Sequence, residues 1–174
     1  MKYTLEEIRA IPIFFIVGKG RSGTTLLSTI LDSHPDVASA TESRFLLIVW
    51  QKYKKLKRWS PERANEYVQD VLSDFRVKYF WEFEDDFEQA LSDLPPEATA
   101  QDLIKLTYLY KKSLFQKSKV KFIIDKNPRY TLFVWKLSSI FKDGKFIRIM
   151  RDPRDNIASS IKYNKRRCEA IAFK

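Results

Sequence analysis

Residues 18–25, Gly18-Lys19-Gly20-Arg21-Ser22-Gly23-Thr24-Thr25, lie between an apolar run and a helical pattern. Glycines in such a turn let the backbone curl so that its N–H groups point at an anion, and the next helix adds its N-terminal partial charge. Ser22, Thr24 and Thr25 supply hydroxyl donors, and Arg21 supplies a full charge in a fork suited to an oxyanion. The chemistry is anion binding. Gly18 and Gly23 have the spacing of the phosphate-loop pattern G-x-x-x-x-G-K-[ST], but Thr24 stands where that pattern has lysine. The loop lacks the ammonium that would reach a terminal phosphate.

Four apolar runs must position this loop and its partners: Ile13 to Val17, a weaker Val37 to Ala40, Val120 to Ile124, and Lys145 to Met150. Their length and composition predict strands. Helical patterns lie between them, at Thr24 to Leu31, near Tyr130 to Phe141 with Asn127-Pro128 as its start and Asp143-Gly144 as its stop, and from Asp152-Pro153 with Asp152 as N-cap. The span from Ser43 to Ser118 reads as helical throughout, with starts at Ser60-Pro61-Glu62 and at Thr99 with Asp102, and a break at Leu94-Pro95-Pro96. Strands alternating with helices predict an α/β fold: a phosphate-loop-type parallel sheet flanked by helices, with a helical insertion at about 43–118, in one domain of 174 residues. Ligands of such sheets bind beyond the carboxyl ends of the strands. At those ends stand the glycine loop, Glu42, Asp125 with Lys126, and Arg151 with Asp152 and Arg154.

Composition narrows the classes. The chain is 44% hydrophobic, with a net charge of +10 that suits an anionic ligand or partner. The acidic block Glu82, Glu84, Asp85, Asp86 and Glu88 leaves the remaining surface more basic still. One cysteine, Cys168, excludes an intrachain disulfide and predicts a reducing, cytoplasmic setting. Ile11 to Val17 is too short to span a bilayer, so no transmembrane segment is expected. One histidine, His34, and one cysteine build neither a zinc site nor a Cys–His nucleophile. The cations and aromatics of Trp50 to Trp59 read as the basic face of an amphipathic helix, and no nucleic-acid partner is expected.

Gly20 to Thr25 followed by Leu31-Asp32-Ser33-His34-Pro35 resembles the 5′-phosphosulfate loop of sulfotransferases that use 3′-phosphoadenosine 5′-phosphosulfate (PAPS). Phe146 to Ser159 is similar to the 3′-phosphate strand and helix of that family. Thr41 to Arg44 and Asp125 to Pro128 resemble segments of its protein-tyrosine branch and related bacterial enzymes. The four segments occur in family order within residues 13–160, whereas Phe45 to Lys117 matches no motif. The resemblance implies PAPS as donor, 3′,5′-adenosine bisphosphate (PAP) as product, and no required metal. Sulfuryl transfer, like phosphoryl transfer, is mainly positioning and charge stabilisation, and a sulfonate carries less charge than a terminal phosphate. A cationic loop without the lysine suits it.

The same resemblance implies the roles. Gly20, Arg21, Ser22, Gly23, Thr24 and Thr25 hold the 5′-phosphosulfate, with Arg21 on the leaving group; Arg151 and Ser159 hold the 3′-phosphate, with Ser160 as the alternative register. Lys126 stabilises the sulfonate or protonates the leaving oxygen, and Glu42 takes the acceptor's proton. Without the resemblance, Lys126 is a partner for Asp125, Glu42 a helix-end carboxylate, His34 a capping or packing residue, and Arg154 a surface charge. Family members continue past the 3′-phosphate helix, so a chain ending at Ala172-Phe173-Lys174 is expected to be C-terminally incomplete. The acceptor stays open among protein tyrosine, carbohydrate, lipid and small alcohols, and the oligomeric state is not encoded in these motifs. Two other classes remain: a nucleotide kinase or NTPase, with Asp125 as a magnesium-holding aspartate after an apolar strand, and a basic binding module without catalysis.

Overall fold

Four strands form one all-parallel sheet in the order β2-β3-β1-β4, with β1 at Ile13–Gly18, β2 at Val37–Thr41, β3 at Phe122–Lys126 and β4 at Lys145–Ile149. The computed structural model describes residues 2–172, with side chains through Lys165. Ile13, Phe15, Ile16 and Val17 of β1 are all buried, as a strand covered on both faces requires. The chain leaves β1 to place β2 and β3 on one side and β4 on the other. That reversal opens a crevice beyond the carboxyl end of β1.

Helix α1 (Leu5–Ala10) opens on a capping box between Thr4 and Glu7. The Thr4-x-x-Glu7 spacing carries this signal in the sequence, although no helix is assigned there above. Helix α2 (Thr24–Asp32) covers one sheet face with Leu27 and Leu31 against Ile16, Val37 and Ile124. The other face carries the larger core, into which α3 (Phe45–Tyr53), α4 (Ala64–Leu72), α5 (Phe75–Phe80), α6 (Phe87–Ser92) and α7 (Ala100–Leu109) all contribute. Helix α7, capped by Thr99 with Asp102, buries Leu103, Ile104, Leu106 and Tyr108. A 3-10 segment (Pro128–Phe133) capped by Asn127 leads into α8 (Val134–Ile140), and α9 (Pro153–Ala172) follows β4. The Arg154 N–H bonds the Asp152 carboxylate at 2.8 Å, which makes Asp152 the cap of α9.

Three boundaries differ from the sequence reading. β3 runs through Asp125 and Lys126 instead of ending before them, because both buried side chains find the polar partners described below. Helix ends at Leu109, and residues 110–121 hold only a bridge between Lys111 and Phe83. Between Asn127 and Phe141 the first turns are 3-10 rather than α, set by Pro128 after its cap. In the basic–aromatic stretch, Tyr53 and Trp59 are core residues while Lys52, Lys54 and Lys55 stay exposed. Among the described residues, no helix is long and apolar enough to cross a membrane. Phe173 and Lys174, named in the expectation of an incomplete C-terminus, lie outside the described residues.

Candidate functional site

Strand register sets the site. Ile16 lies beside Lys126, Lys126 beside Thr41, and Gly18 beside Ile149. The next residue after each strand therefore emerges on one edge, around an open cleft of about 1320 Å³ that residues 18–25 border. Gly18 has φ +151°, and a Cβ there would lie 2.6 Å from the Ile149 carbonyl oxygen. Gly23, at φ +96°, is the left-handed N-cap from which α2 departs. Both positions require glycine. Thr24 is buried at the helix start, whereas Thr25 is exposed toward the cleft.

Two clusters face this loop. In the first, Lys126 Nζ lies 2.8 Å from Glu42 Oε1 and 3.2 Å from Thr25 Oγ1. Arg76, from α5, donates to Glu42 Oε2 at 2.9 Å. The Lys126 side chain is 2% exposed and the Glu42 side chain 34%, so the lysine is fixed and the carboxylate reaches the cleft. Burial alone would raise the Glu42 carboxyl, but the hydrogen bond and charge of Lys126, reinforced by Arg76, hold it below the ordinary range. Glu42 is thus ionised at neutral pH. Its φ of +30° is unusual for a residue with a Cβ, a strain of about 1–3 kcal/mol that the surroundings must over-determine.

In the second cluster, Arg151 Nη1 donates to the Arg21 carbonyl at 3.2 Å, and Arg21 Nε donates to Ser159 Oγ at 3.4 Å. The Arg21 guanidinium lies over the Tyr163 ring at 4.8 Å, and Arg21 has φ +68°. Ser159 lines the cleft, whereas Ser160 Oγ turns back to the Asn156 carbonyl of its own helix. The structure therefore brings together Gly20, Arg21, Ser22, Gly23, Thr24, Thr25, Glu42, Arg151 and Ser159 around one cleft, with Lys126 beneath it.

Several residues lie elsewhere. Asp125 is fully buried on the opposite face of β3, where its carboxylate accepts from Tyr108 Oη at 2.5 Å. Burial pushes its pKa up to about 7, against the hydrogen bond of Tyr108 and the charge of Lys126. The aspartate that an NTPase would aim at magnesium does not reach the cleft. Lys126 also pairs with Glu42 rather than with Asp125. His34 is exposed just past the end of α2 and accepts the Asp36 N–H on Nδ1 at 3.1 Å, a local turn contact that caps no helix carbonyl. Arg154 pairs with Asp152 on the surface.

Four site residues were given no role in the sequence reading. Asn156, buried in the first turns of α9, donates to the Gly20 carbonyl at 2.9 Å and to Ser22 Oγ at 3.1 Å, which fixes the loop to the helix. An uncharged polar residue four positions after the Asp152 cap was its only signal. Thr131 accepts the Gly18 N–H at 3.0 Å and ties the loop to the 3-10 segment. Arg76 sits in the helical span that matches no motif, and Tyr163 on α9 reads as one more aromatic. Arg148, Arg129 and Arg44 also line the cleft, so its electrostatics favour a ligand with several negative charges.

Residues 12–169 match the model of the family described as the sulfotransferase family. Among curated proteins, the chain is 26% identical over 153 residues to protein-tyrosine sulfotransferase 1 of Danio rerio, covering 86% of this chain and 35% of that protein. It is 26% identical to protein-tyrosine sulfotransferase 2 of Gallus gallus, covering 88% and 34%. To nodulation protein NoeE of Sinorhizobium fredii it is 24% identical over 158 residues, covering 90% and 33%. The chain spans about a third of the length of these relatives.

Proposed function

This chain belongs to the sulfotransferase family, and on that premise we propose that it transfers a sulfuryl group from PAPS to an acceptor hydroxyl or amine. The observation that carries this reading is the convergence of two unlike clusters on one cleft. One holds a carboxylate against a buried lysine, and the other holds two arginines and a serine around a glycine loop. The donor set fits PAPS. It is cationic, it has hydroxyls and backbone donors for the 5′ side, and Arg151 with Ser159, both bonded to Arg21 of the loop, is assigned the 3′-phosphate in this reading. When bound, PAPS supplies the sulfuryl group, whose bond to the 5′-phosphate oxygen breaks as a bond to the acceptor oxygen or nitrogen forms, leaving PAP.

The chain's own residues then divide the work. Gly20 to Thr25 hold the 5′ side and Arg21 neutralises charge on the leaving oxygen. Lys126, fixed between Thr25 and Glu42, adds a second cation from below the loop. Glu42 is ionised and therefore free to take the acceptor's proton at Oε2 once Arg76 yields that oxygen. No resident metal enters this scheme. Residues 1–174 act as one sulfotransferase-like domain in this reading, in a cytoplasmic setting consistent with the single cysteine. The test is transfer of labelled sulfate from PAPS to tyrosine peptides, oligosaccharides, lipids and simple alcohols. Binding of PAP with no transfer to any acceptor class would favour a non-catalytic binding module.

A further inference from the structure

The Glu42 turn is pinned on each of four successive residues. The Thr41 carbonyl accepts from Trp81 Nε1 at 3.2 Å, and the Glu42 N–H bonds the Lys126 carbonyl at 2.8 Å. The Ser43 carbonyl accepts from Asn127 Nδ2 at 2.7 Å and from Tyr130 Oη at 3.2 Å. The Arg44 N–H bonds Asp74 Oδ2 at 2.9 Å. A left-handed conformation at a glutamate persists only under such constraint. Among these contacts the Asn127 bond is the short side-chain contact, and Asn127 directly follows Lys126 at the end of β3. Asn127 is 4% exposed and serves two masters: Oδ1 caps the 3-10 segment through the Arg129 N–H, while Nδ2 reaches back to Ser43.

We propose that Asn127 is a positioning residue for Glu42: its Nδ2 bond to the Ser43 carbonyl holds the turn in the strained form that sets the Glu42 carboxylate against Lys126. The consequence for catalysis rests on the reading of Glu42 as the base. The geometric claim does not. One residue pair, Lys126-Asn127, thereby supplies both the cation that faces Glu42 and the clamp that aims it. Releasing the clamp lets residues 42–43 relax toward ordinary backbone angles, which swings the carboxylate away from Lys126. The charged groups around Glu42 are Lys126 from β3 and Arg76 from α5, with Arg44 and Asp74 paired beside them.

The test is a carbon-13 NMR titration of the Glu42 carboxyl in the full chain, for wild type, Asn127→Ser, Asn127→Ala and Tyr130→Phe. Serine retains a hydroxyl that caps the 3-10 segment but is too short to reach Ser43, and it adds no charge. In wild type Glu42 should titrate below the ordinary glutamate range, held there by Lys126 and Arg76. Asn127→Ser and Asn127→Ala should both move it up toward that range, and Tyr130→Phe should move it less in the same direction. PAP affinity should stay near wild type in Asn127→Ser and Tyr130→Phe, which keep the cap of the 3-10 segment whose Thr131 holds the glycine loop. Transfer by Asn127→Ser should fall by roughly tenfold to a hundredfold in kcat, the scale of a misplaced catalytic group. If Asn127→Ser titrates like wild type while Asn127→Ala shifts, Asn127 is only a cap and the proposal fails. It fails equally if neither shifts, or if Asn127 variants do not fold and Tyr130→Phe leaves Glu42 unmoved. A wild-type chain that neither binds PAP nor transfers sulfate would sink the sulfotransferase reading while leaving the titration fully interpretable.

Discussion

Glu42 and Lys126 meet at 2.8 Å across the carboxyl edge of the sheet although 84 positions separate them in the chain. The pairing follows from register, since β2 and β3 end side by side and Lys126 is the last residue of its strand. The lysine is almost wholly enclosed, so it keeps its place whether or not a ligand is present. Its partner carboxylate reaches the cleft.

Glu42→Gln is expected to retain the hydrogen bond to Lys126 through its amide oxygen while losing the base. Sulfuryl transfer should fall by a factor of about a hundred or more, the usual scale for removing a general base. PAP affinity should stay near wild type, because the donor-side contacts of Arg21, Arg151 and Ser159 are untouched. Near-normal turnover with intact fold would reduce Glu42 to a structural counter-ion for Lys126.

The sheet and the loop were legible in the sequence because apolar runs of strand length and a glycine turn are local signals. Glu42, Lys126, Arg21, Arg151 and Ser159 were legible through motif order, and strand register brings them together. Arg76 was not, since it lies in a helical span whose sequence reports only its own amphipathicity and not what it reaches. Asn127 was read as a helix start, which it is, but its bond to Ser43 was not, and Asn156 was read as part of its motif without a role, because a side-chain amide declares its partner only when distant carbonyls are in place. The end of β3 was misplaced for a related reason. Asp125 and Lys126 look like loop residues until Tyr108 and Glu42 are brought to them by other elements.

Asp125 makes stability pH-dependent. In the unfolded chain its carboxyl releases its proton near 3.8, whereas the folded protein holds that proton to about 7. The folded state therefore binds the extra proton between those values, so stability falls as pH rises through that window and levels off above it. Asp125→Asn keeps an acceptor for Tyr108 without the charge. It should flatten this decline and melt at a higher temperature than wild type above neutral pH. Parallel pH profiles for the two proteins in thermal unfolding would contradict the assignment.

Gly18→Ala places a methyl group 2.6 Å from the Ile149 carbonyl oxygen, a backbone atom that yields only by parting β1 from β4. A loss of about 1–3 kcal/mol is expected in denaturant unfolding. Because Gly18 begins the loop, PAP affinity should drop with it. Gly20→Ala, where a Cβ meets nothing within 4 Å, should cost far less stability. Equal stability losses at the two positions would show that the close approach at Gly18 is not what requires glycine.

The central claim is that this cleft recognises an adenosine carrying phosphates on both 5′ and 3′ positions, with Arg151 and Ser159 reading the second. Calorimetric titration of the chain with PAP, ATP and 5′-AMP, each with and without magnesium, tests it most directly. PAP should bind without metal and more tightly than either competitor, and Arg151→Ala should weaken PAP much more than 5′-AMP. Magnesium-dependent ATP binding with no response to PAP, or equal losses for PAP and 5′-AMP in Arg151→Ala, would contradict the account.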